Sequence, residues 1–135
     1  MDTLTREERS ERMRRIRSRD TGPELELRRI VWALGYRYRK NRRDLIGQPD
    51  IAFIARRRAI FLHGCFWHRH NCASGRRTPK SRHAFWNSKF KQNVLRDAQV
   101  LRELKAAGWR ALVIWECQVR KHLNVGWRVR RFLDA

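Results

Sequence analysis

The segment from Phe61 to Cys72 constrains the fold of this chain most, because it joins an apolar run to a dense group of metal-binding side chains. Its twelve residues include two of the three cysteines and three of the five histidines. Cysteine and histidine at this density are typical of metal sites, and histidine also transfers protons near neutral pH. The third cysteine, Cys117, lies far along the chain, so a shared site requires two distant segments to meet.

The chain combines the composition of a folded domain with a strong positive charge. Its 135 residues are 41% hydrophobic and include six Trp and six Phe, enough for one domain with a buried core. Lys and Arg number 33 against 13 Asp and Glu, a net charge of +20. A small domain this basic is typical of nucleic-acid-binding proteins. A membrane surface is a weaker alternative partner, and a ribosome-like structural binder is a third interpretation.

The N-terminus and the apolar runs predict a cytosolic protein. Residues 1–6 are polar and lack the apolar core of a signal peptide, and no apolar run approaches the ~20 residues of a membrane span. Three cysteines cannot all pair within one chain, and a reducing compartment disfavours disulfides. We therefore expect a cytoplasmic protein whose cysteines bind metal or are buried. Nucleoid association and a monomeric state are separate expectations.

Residues 1–20 are predicted to form a basic arm, and residues 21–135 a single domain. Five arginines fall between positions 12 and 19, where the large apolar groups are Met13 and Ile16. Such clustered positive charge repels itself unless phosphates lie nearby, which favours an arm that grips nucleic acid. A solvated helical face is the alternative.

Periodicity predicts an α/β domain in which helices flank a mixed sheet. A helix begins at Thr21, where Thr, Pro and Glu form a capping pattern, and ends at Gly35. The other predicted elements are strands over 36–40, 49–54, 59–63 and 110–115, and helices over 83–107 and 124–133. In the long helix, the face predicted to be buried comprises Phe90, Val94, Ala98, Leu101 and Leu104. The second and third strands are predicted to form a hairpin, which brings Asp50 and His63 to the same end.

Structural zinc commonly takes three cysteines and one histidine, and the chain has Cys65, Cys72 and Cys117 for this purpose. Cys117 reaches the other two if the strand ending at Trp115 lies beside the strand ending at His63. Either histidine between the cysteines can complete the set, because the spacing does not choose between position 68 and position 70. Buried thiols without metal are the alternative.

Asp50, His63 and the histidine that zinc leaves over form a candidate catalytic group. Mg²⁺ typically binds one or two carboxylates together with water and substrate phosphates, and a histidine can exchange protons with water or a leaving oxygen. An ordinary turn aspartate and a structural histidine are the alternatives. Phe66 and Trp67 lie in the predicted metal loop, and Trp86 follows a basic loop, so these aromatics are candidates for stacking on bases. Core packing is their alternative role.

Long motifs in this chain resemble those of the very short patch repair (Vsr) DNA mismatch endonucleases. The strongest is His-Gly-Cys-Phe-Trp-His-x-His-x-Cys, from His63 to Cys72. The segments 13–21, 47–51 and 108–117 resemble the family's N-terminal arm, its Pro-Asp strand and its last sheet strand, so the similarity spans nearly the whole chain. It implies a restriction-endonuclease-like three-layer fold with structural Zn²⁺. It also implies a Mg²⁺-dependent enzyme that nicks double-stranded DNA 5′ of the mispaired T in T·G mismatches, which arise by 5-methylcytosine deamination.

The resemblance also implies a role for individual positions. The implied zinc ligands are Cys65, His70, Cys72 and Cys117. The implied catalytic groups are Asp50 as the Mg²⁺ carboxylate, Leu62 as a Mg²⁺ ligand through its backbone carbonyl, His63, His68 and Glu24. The implied DNA contacts are Phe66, Trp67, Trp86, Met13, Arg14, Arg15 and Arg17.

Two positions depart from the family pattern. Leu62 stands where Thr is usual, and Gln48 stands where Arg is common before Pro-Asp. A backbone carbonyl ligand tolerates Leu, whereas a required hydroxyl does not, and Gln48 alters a phosphate or base contact. Two other functions stay open: a zinc-containing nucleic-acid-binding module without catalysis, and a nuclease of this fold with a different DNA target.

Overall fold

The structure is a computed structural model that describes residues 21–134. The helices are α1 (Gly22–Ala33), α2 (Cys65–His68), α3 (His83–Ala106), α4 (Glu116–Arg120) and α5 (Val125–Asp134). The strands are β1 (Arg39–Lys40), β2 (Ile51–Phe53), β3 (Arg58–His63) and β4 (Arg110–Trp115). The predicted basic arm, residues 1–20, lies outside the described residues. No helix in residues 21–134 is both long enough and apolar enough to cross a membrane.

The four strands form one mixed sheet in the order β1-β2-β3-β4, which confirms the predicted α/β architecture. β2 and β3 form the predicted antiparallel hairpin, whose turn is closed by the Arg57 N–H donating to the Ile54 carbonyl at 3.2 Å. β3 and β4 run parallel, with His63 opposite Trp115. Parallel neighbours need a long crossover, and α3 lies within it. The ends of β3 and β4 therefore lie side by side, each followed by a short helix that carries a cysteine.

Helices cover both faces of the sheet because successive side chains of a strand point to opposite faces. On one face, Ile60 and Ile114 are fully buried in a cluster with residues of α1 and α5. On the other face, Ala59 and Phe61 pack against Leu104 of α3. Full burial of an aliphatic or aromatic side chain contributes about 1.5–3 kcal/mol, so these two clusters hold the helices to the sheet. His63 continues the β3 row on the α3 face.

The first helix begins where the sequence predicts. Thr21 is its N-cap, and the Thr21 Oγ1 accepts a hydrogen bond from the backbone N–H of Glu24 at 3.4 Å. Leu27 and Val31 lie on one face of α1 and are buried in the core, as the spacing predicts. The Glu24 carboxylate accepts a 2.7 Å hydrogen bond from Arg28 in a buried ion pair one turn along the helix.

The strand predicted over residues 36–40 is wrong in extent, since only Arg39 and Lys40 pair with β2. The alternation that predicted it is nevertheless present in the burial of the side chains. Tyr36 and Tyr38 are half-buried and pack edge-on against Phe53, with ring centroids 6.3 and 6.4 Å away. Two aromatic contacts with the core thus fix this segment where a longer ladder was expected.

The face that α3 presents to the sheet also differs from the prediction. Phe90 and Leu104 are buried as expected, but Val94 is 44% exposed and Leu101 is 37% exposed. The other buried residue of α3 is Asn93, which lies between Phe90 and Leu104 in the sequence. Its Nδ2 donates to the Trp67 carbonyl at 3.1 Å. Polar contacts with the segment after β3 therefore rotate the helix away from its most apolar face.

Candidate active site and metal centre

Two groups of side chains meet where β3 and β4 end. His63 and Trp115 are opposite each other in the parallel register, and each strand passes directly into a short helix. Cys65 opens the first of these helices, and Cys117 lies in the second. The predicted adjacency of the two strands is present, and it brings the distant cysteine to the segment 61–72.

The first group consists of one histidine and the three cysteines. The potential ligand atoms of Cys65, His70, Cys72 and Cys117 all lie within 4.8 Å of one another. The Cys117 backbone N–H donates to the Cys65 Sγ at 3.4 Å, and the Cys117 Sγ lies 3.5 Å from the His70 Nδ1. Three thiols and one imidazole at this separation fit a tetrahedral structural zinc site. His70, rather than His68, is the histidine that lies with the cysteines.

The thiols of this group titrate differently because their surroundings differ. Burial raises the pKa of Cys65 to about 12, whereas a backbone hydrogen bond from Gly75 lowers the pKa of Cys72 to about 7. Without a cation, the Cys65 thiol therefore keeps its proton at neutral pH. Because metal binds thiolates, binding must release that proton.

Gly75 closes the loop that carries these ligands. A Cβ atom at this position would lie 1.7 Å from the His70 carbonyl oxygen, and 2.6 Å from its carbon. Both atoms belong to the backbone and cannot move away as a flexible side chain can. Only glycine allows the two chain segments to approach this closely, so Gly75 shapes the Cys/His group although it offers no ligand atom.

The second group lines a cleft of about 630 Å³ on the α3 side of the sheet. Its polar residues at the centre are Asp50, His63, His68 and Asp97. The Asp50 Oδ2 accepts a hydrogen bond from the Leu62 backbone N–H at 2.6 Å, so the predicted meeting of the two strand ends is observed. Gln48 also lines the cleft, and Arg43 and Arg96 give its walls positive charge.

The two histidines of the cleft stack face to face. Their ring centroids are 4.0 Å apart, with an interplanar angle of 7°. The His68 Nδ1 lies 2.6 Å from the Asp97 Oδ2. Although His63, His68 and Asp97 lie close enough to share a cation, the in-plane lone pairs of parallel rings run side by side and do not converge. This geometry suits proton transfer better than metal ligation.

Burial shifts the pKa values of two groups in the cleft. It lowers the pKa of His63 to about 4, with a further contribution from His68, so His63 is neutral at pH 7. It raises the pKa of Asp50 to about 6, against the opposing effect of the hydrogen bond from Leu62. Glu24 adds to the increase at Asp50, which places its carboxylate within electrostatic range of the cleft.

Aromatic side chains form a cluster beside the cleft. Phe66 and Trp67 lie in the short helix α2, so the prediction of an irregular loop is wrong there. Phe66 packs edge-on against Phe90 with ring centroids 5.1 Å apart, and Trp67 lies 5.7 Å from Trp86. The exposed fraction of the side chain is 41% for Trp67 and 46% for Phe85. Phe85 contacts Trp86 and so extends the cluster beyond it. The buried ring of Phe90 and the half-buried rings of Phe66 and Trp86 thus pack beneath the exposed rings of Trp67 and Phe85.

A family described as DNA mismatch endonuclease Vsr matches residues 1–74, more than half of the chain. The chain belongs to the Vsr family. The type II nicking enzyme V.XorIIP of Xanthomonas oryzae pv. oryzae is 42% identical over 133 residues, which cover 98% of this chain and 97% of the relative. The DNA mismatch endonuclease Vsr of Escherichia coli is 40% identical over 112 residues, which cover 83% and 71%. The type II nicking enzyme V.NmeAIP of Neisseria meningitidis is 36% identical over 132 residues, which cover 98% and 94%.

Membership of the Vsr family confirms the resemblance found in the sequence, and the chain is a DNA endonuclease. Its site also contains residues that the sequence did not single out: Asp97, Gly75 and Phe85. Asp97 gave no signal because it lies in a helix far from the Cys/His segment. Gly75 follows a polar loop in which glycine is common. Phe85 directly precedes Trp86 and could have been found as its neighbour.

Proposed function

We propose that this Vsr-family endonuclease nicks duplex DNA 5′ of the mispaired T in T·G mismatches, in a Mg²⁺-dependent reaction that begins repair after 5-methylcytosine deamination. The observation that carries the proposal is the cleft in which the Asp50 carboxylate and the His68–Asp97 pair lie together. A relative with 40% identity is named as a DNA mismatch endonuclease. One cleft suffices for one nick, so the enzyme is expected to act as a monomer.

In this proposal the fold is restriction-endonuclease-like, and zinc at the Cys/His group has a structural role. Zinc there would crosslink α2 and the following loop to α4, two segments that lie far apart in the sequence. The expected consequence is a rigid base beneath the cleft. A metal assay that returns much less than one zinc per chain would contradict this part of the proposal.

The Asp50 carboxylate, with the backbone carbonyl of Leu62, would hold Mg²⁺ in the cleft. When bound, Mg²⁺ neutralises charge on the phosphate and favours ionisation of a water molecule. Glu24 lies close enough to contribute to the negative field that attracts the cation. Arg43 and Arg96 on the walls would receive the neighbouring phosphates of the DNA backbone.

His68 would move the proton. Its Nδ1 faces Asp97 at 2.6 Å, so the proton of the neutral ring resides on Nδ1 and the Nε2 lone pair is free. Nε2 can then take a proton from the attacking water or return one to the leaving oxygen. Asp97 stabilises the imidazolium that forms. His63, neutral at pH 7, stacks on that ring without adding a second positive charge.

The aromatic cluster and the basic arm would recognise the DNA. Phe66, Trp67 and Trp86 would wedge between bases at the weakly paired step, since aromatic rings stack on bases and kink a duplex. The predicted arm contacts, which lie outside the described residues, are Met13, Arg14, Arg15 and Arg17. The three arginines would supply the salt-dependent part of binding to phosphates.

The proposal is tested by incubating the protein and Mg²⁺ with a duplex labelled on the strand that carries the mispaired T. We expect one nick 5′ of that T, loss of the nick in Asp50→Asn, and an unchanged nick in Glu26→Gln, which removes a carboxylate from the surface of α1. Equal cutting of matched or branched duplexes would show a different DNA target. Salt-sensitive binding with no nick in any duplex would show a binding module without catalysis.

A further inference from the structure

One aromatic ring lies between the metal centre and the catalytic histidines. The indole of Trp115 stacks on the His70 imidazole, with ring centroids 4.3 Å apart and an interplanar angle of 22°. The same indole meets His63 edge-on at 5.2 Å and His68 at 6.5 Å. Trp115 thus contacts the histidine of the Cys/His group and both members of the stacked pair in the cleft.

The backbone holds this ring in place from two sides. Trp115 ends β4 opposite His63 in the parallel ladder, so the two side chains leave the sheet as neighbours on one face. Its backbone N–H donates to the Gln118 Oε1 at 3.0 Å, and the same oxygen accepts from the Arg128 Nη1 at 2.8 Å. The backbone that carries the indole is therefore fixed at the start of the helix that carries Cys117.

We infer that Trp115 is a positioning residue that couples the Cys/His metal centre to the catalytic histidines, an inference that rests on the function proposed above. A metal that immobilises His70 immobilises the indole stacked on it, and the indole then limits the positions open to His63 and His68. The coupling runs in both directions, because removal of the ring also frees His70 to leave the metal. Small displacements of a proton-transferring group have large effects on rate: a misplacement of about 1 Å can reduce it by about 100-fold.

The test combines two measurements on Trp115→Leu, both made on protein that contains its zinc. The single-turnover rate of nicking should fall by about 10- to 100-fold, while the Kd for the mismatched duplex stays within about twofold of the wild type. The rate at which a chelator removes zinc should rise by about tenfold. If the substitution only lowered stability, the nicking rate would fall in proportion to the fraction of folded protein. The rate per folded molecule would stay the same.

Trp109→Leu is the matched control, because it removes an indole from the residue directly before the same strand, β4, at a half-buried position in the cluster against α3. It should alter neither rate. The inference is overturned if the wild type nicks and Trp115→Leu nicks equally fast, if zinc release is unchanged, or if Trp109→Leu has the same effects. Absence of nicking by the wild type refutes the proposed function instead. If Trp115→Leu does not fold, Trp115→Phe decides: both rates should change in the same directions by a few-fold, and unchanged rates refute the coupling.

Discussion

Replacement of Asp97 by Asn tests the assignment of His68 as the group that moves the proton. The variant keeps the shape of the side chain and removes its charge, 2.6 Å from the His68 Nδ1. Both side chains are only about one-fifth exposed, at 22% and 20%, so water screens the pair weakly. A hydrogen bond to a charged group contributes about 1.5–3 kcal/mol, and each 1.36 kcal/mol is a factor of about ten in rate.

We therefore expect the single-turnover nicking rate of Asp97→Asn to fall by about 10- to 100-fold, with little change in the Kd for a T·G duplex. The rate falls because the imidazolium formed during proton transfer loses its partner, whereas DNA is bound by other groups. Glu103→Gln is the control, since it removes one negative charge from the exposed side of the same helix, where Glu103 pairs with Gln99. A rate within about threefold of the wild type, or an equal loss in the control, would refute the role of the pair.

Three further predictions concern the metal centres and the first helix. Gly75→Ala should lose zinc and melt at a lower temperature, because its Cβ would meet the His70 carbonyl oxygen at 1.7 Å; full zinc content would contradict this. Protons should compete with Mg²⁺ for Asp50 below about pH 6, because the pKa of Asp50 is raised to about 6. As the pH falls below that value, the Mg²⁺ concentration that gives half the maximal rate should therefore increase, by at most about tenfold for each pH unit. A concentration independent of pH between 5 and 7 would show that another group binds the cation. Arg28→Met should lower the free energy of unfolding by about 3–5 kcal/mol in denaturant titrations, since it removes the guanidinium from the buried 2.7 Å ion pair with Glu24. Arg29→Met, on the exposed face of α1, should change it by less than about 1 kcal/mol.

The sequence predicts the meeting of Asp50 and His63 because the rules that govern it are local. An antiparallel hairpin brings the start of one strand to the end of the next, and alternation decides which side chains share a face. The adjacency of β3 and β4 follows from a different constraint, since Cys117 can join the other cysteines only if those strands are neighbours. Both features are present in the structure.

The choice between the two candidate histidines depends on a single backbone conformation that spacing cannot reveal. His68 is the last residue of α2, and Arg69 follows in the left-handed region with φ of 57°. The reversal at Arg69 directs His68 towards the cleft and His70 towards the cysteines. Left-handed conformations are uncommon for arginine. Here Arg69 is held by its guanidinium, which donates to the Arg77 carbonyl in the following loop and lies 4.0 Å from the centroid of the Phe90 ring in α3.

The position of Asp97 could not be predicted because hydrophobic periodicity registers only the burial of apolar groups. In α3 the most apolar face passes through Val94 and Leu101, which the structure leaves partly exposed. The face that packs inward carries Asn93 and Asp97, and both bond to the segment that follows β3. Any method that maximises apolar burial therefore predicts the wrong buried face for a helix whose polar residues bond to the site.

At both centres, a cation must compete with protons for its candidate ligands. Burial keeps a proton on the Cys65 thiol at neutral pH and raises the pKa of Asp50 to about 6, so each candidate ligand lies in a medium that disfavours its charged form. A bound cation reverses that preference, since it stabilises the thiolate or carboxylate that burial opposes. In a chain with a net charge of +20, the surrounding positive field also favours approach of DNA phosphates. Metal and substrate can therefore enter the cleft as partners, the cation neutralising the phosphate that the basic surface has attracted.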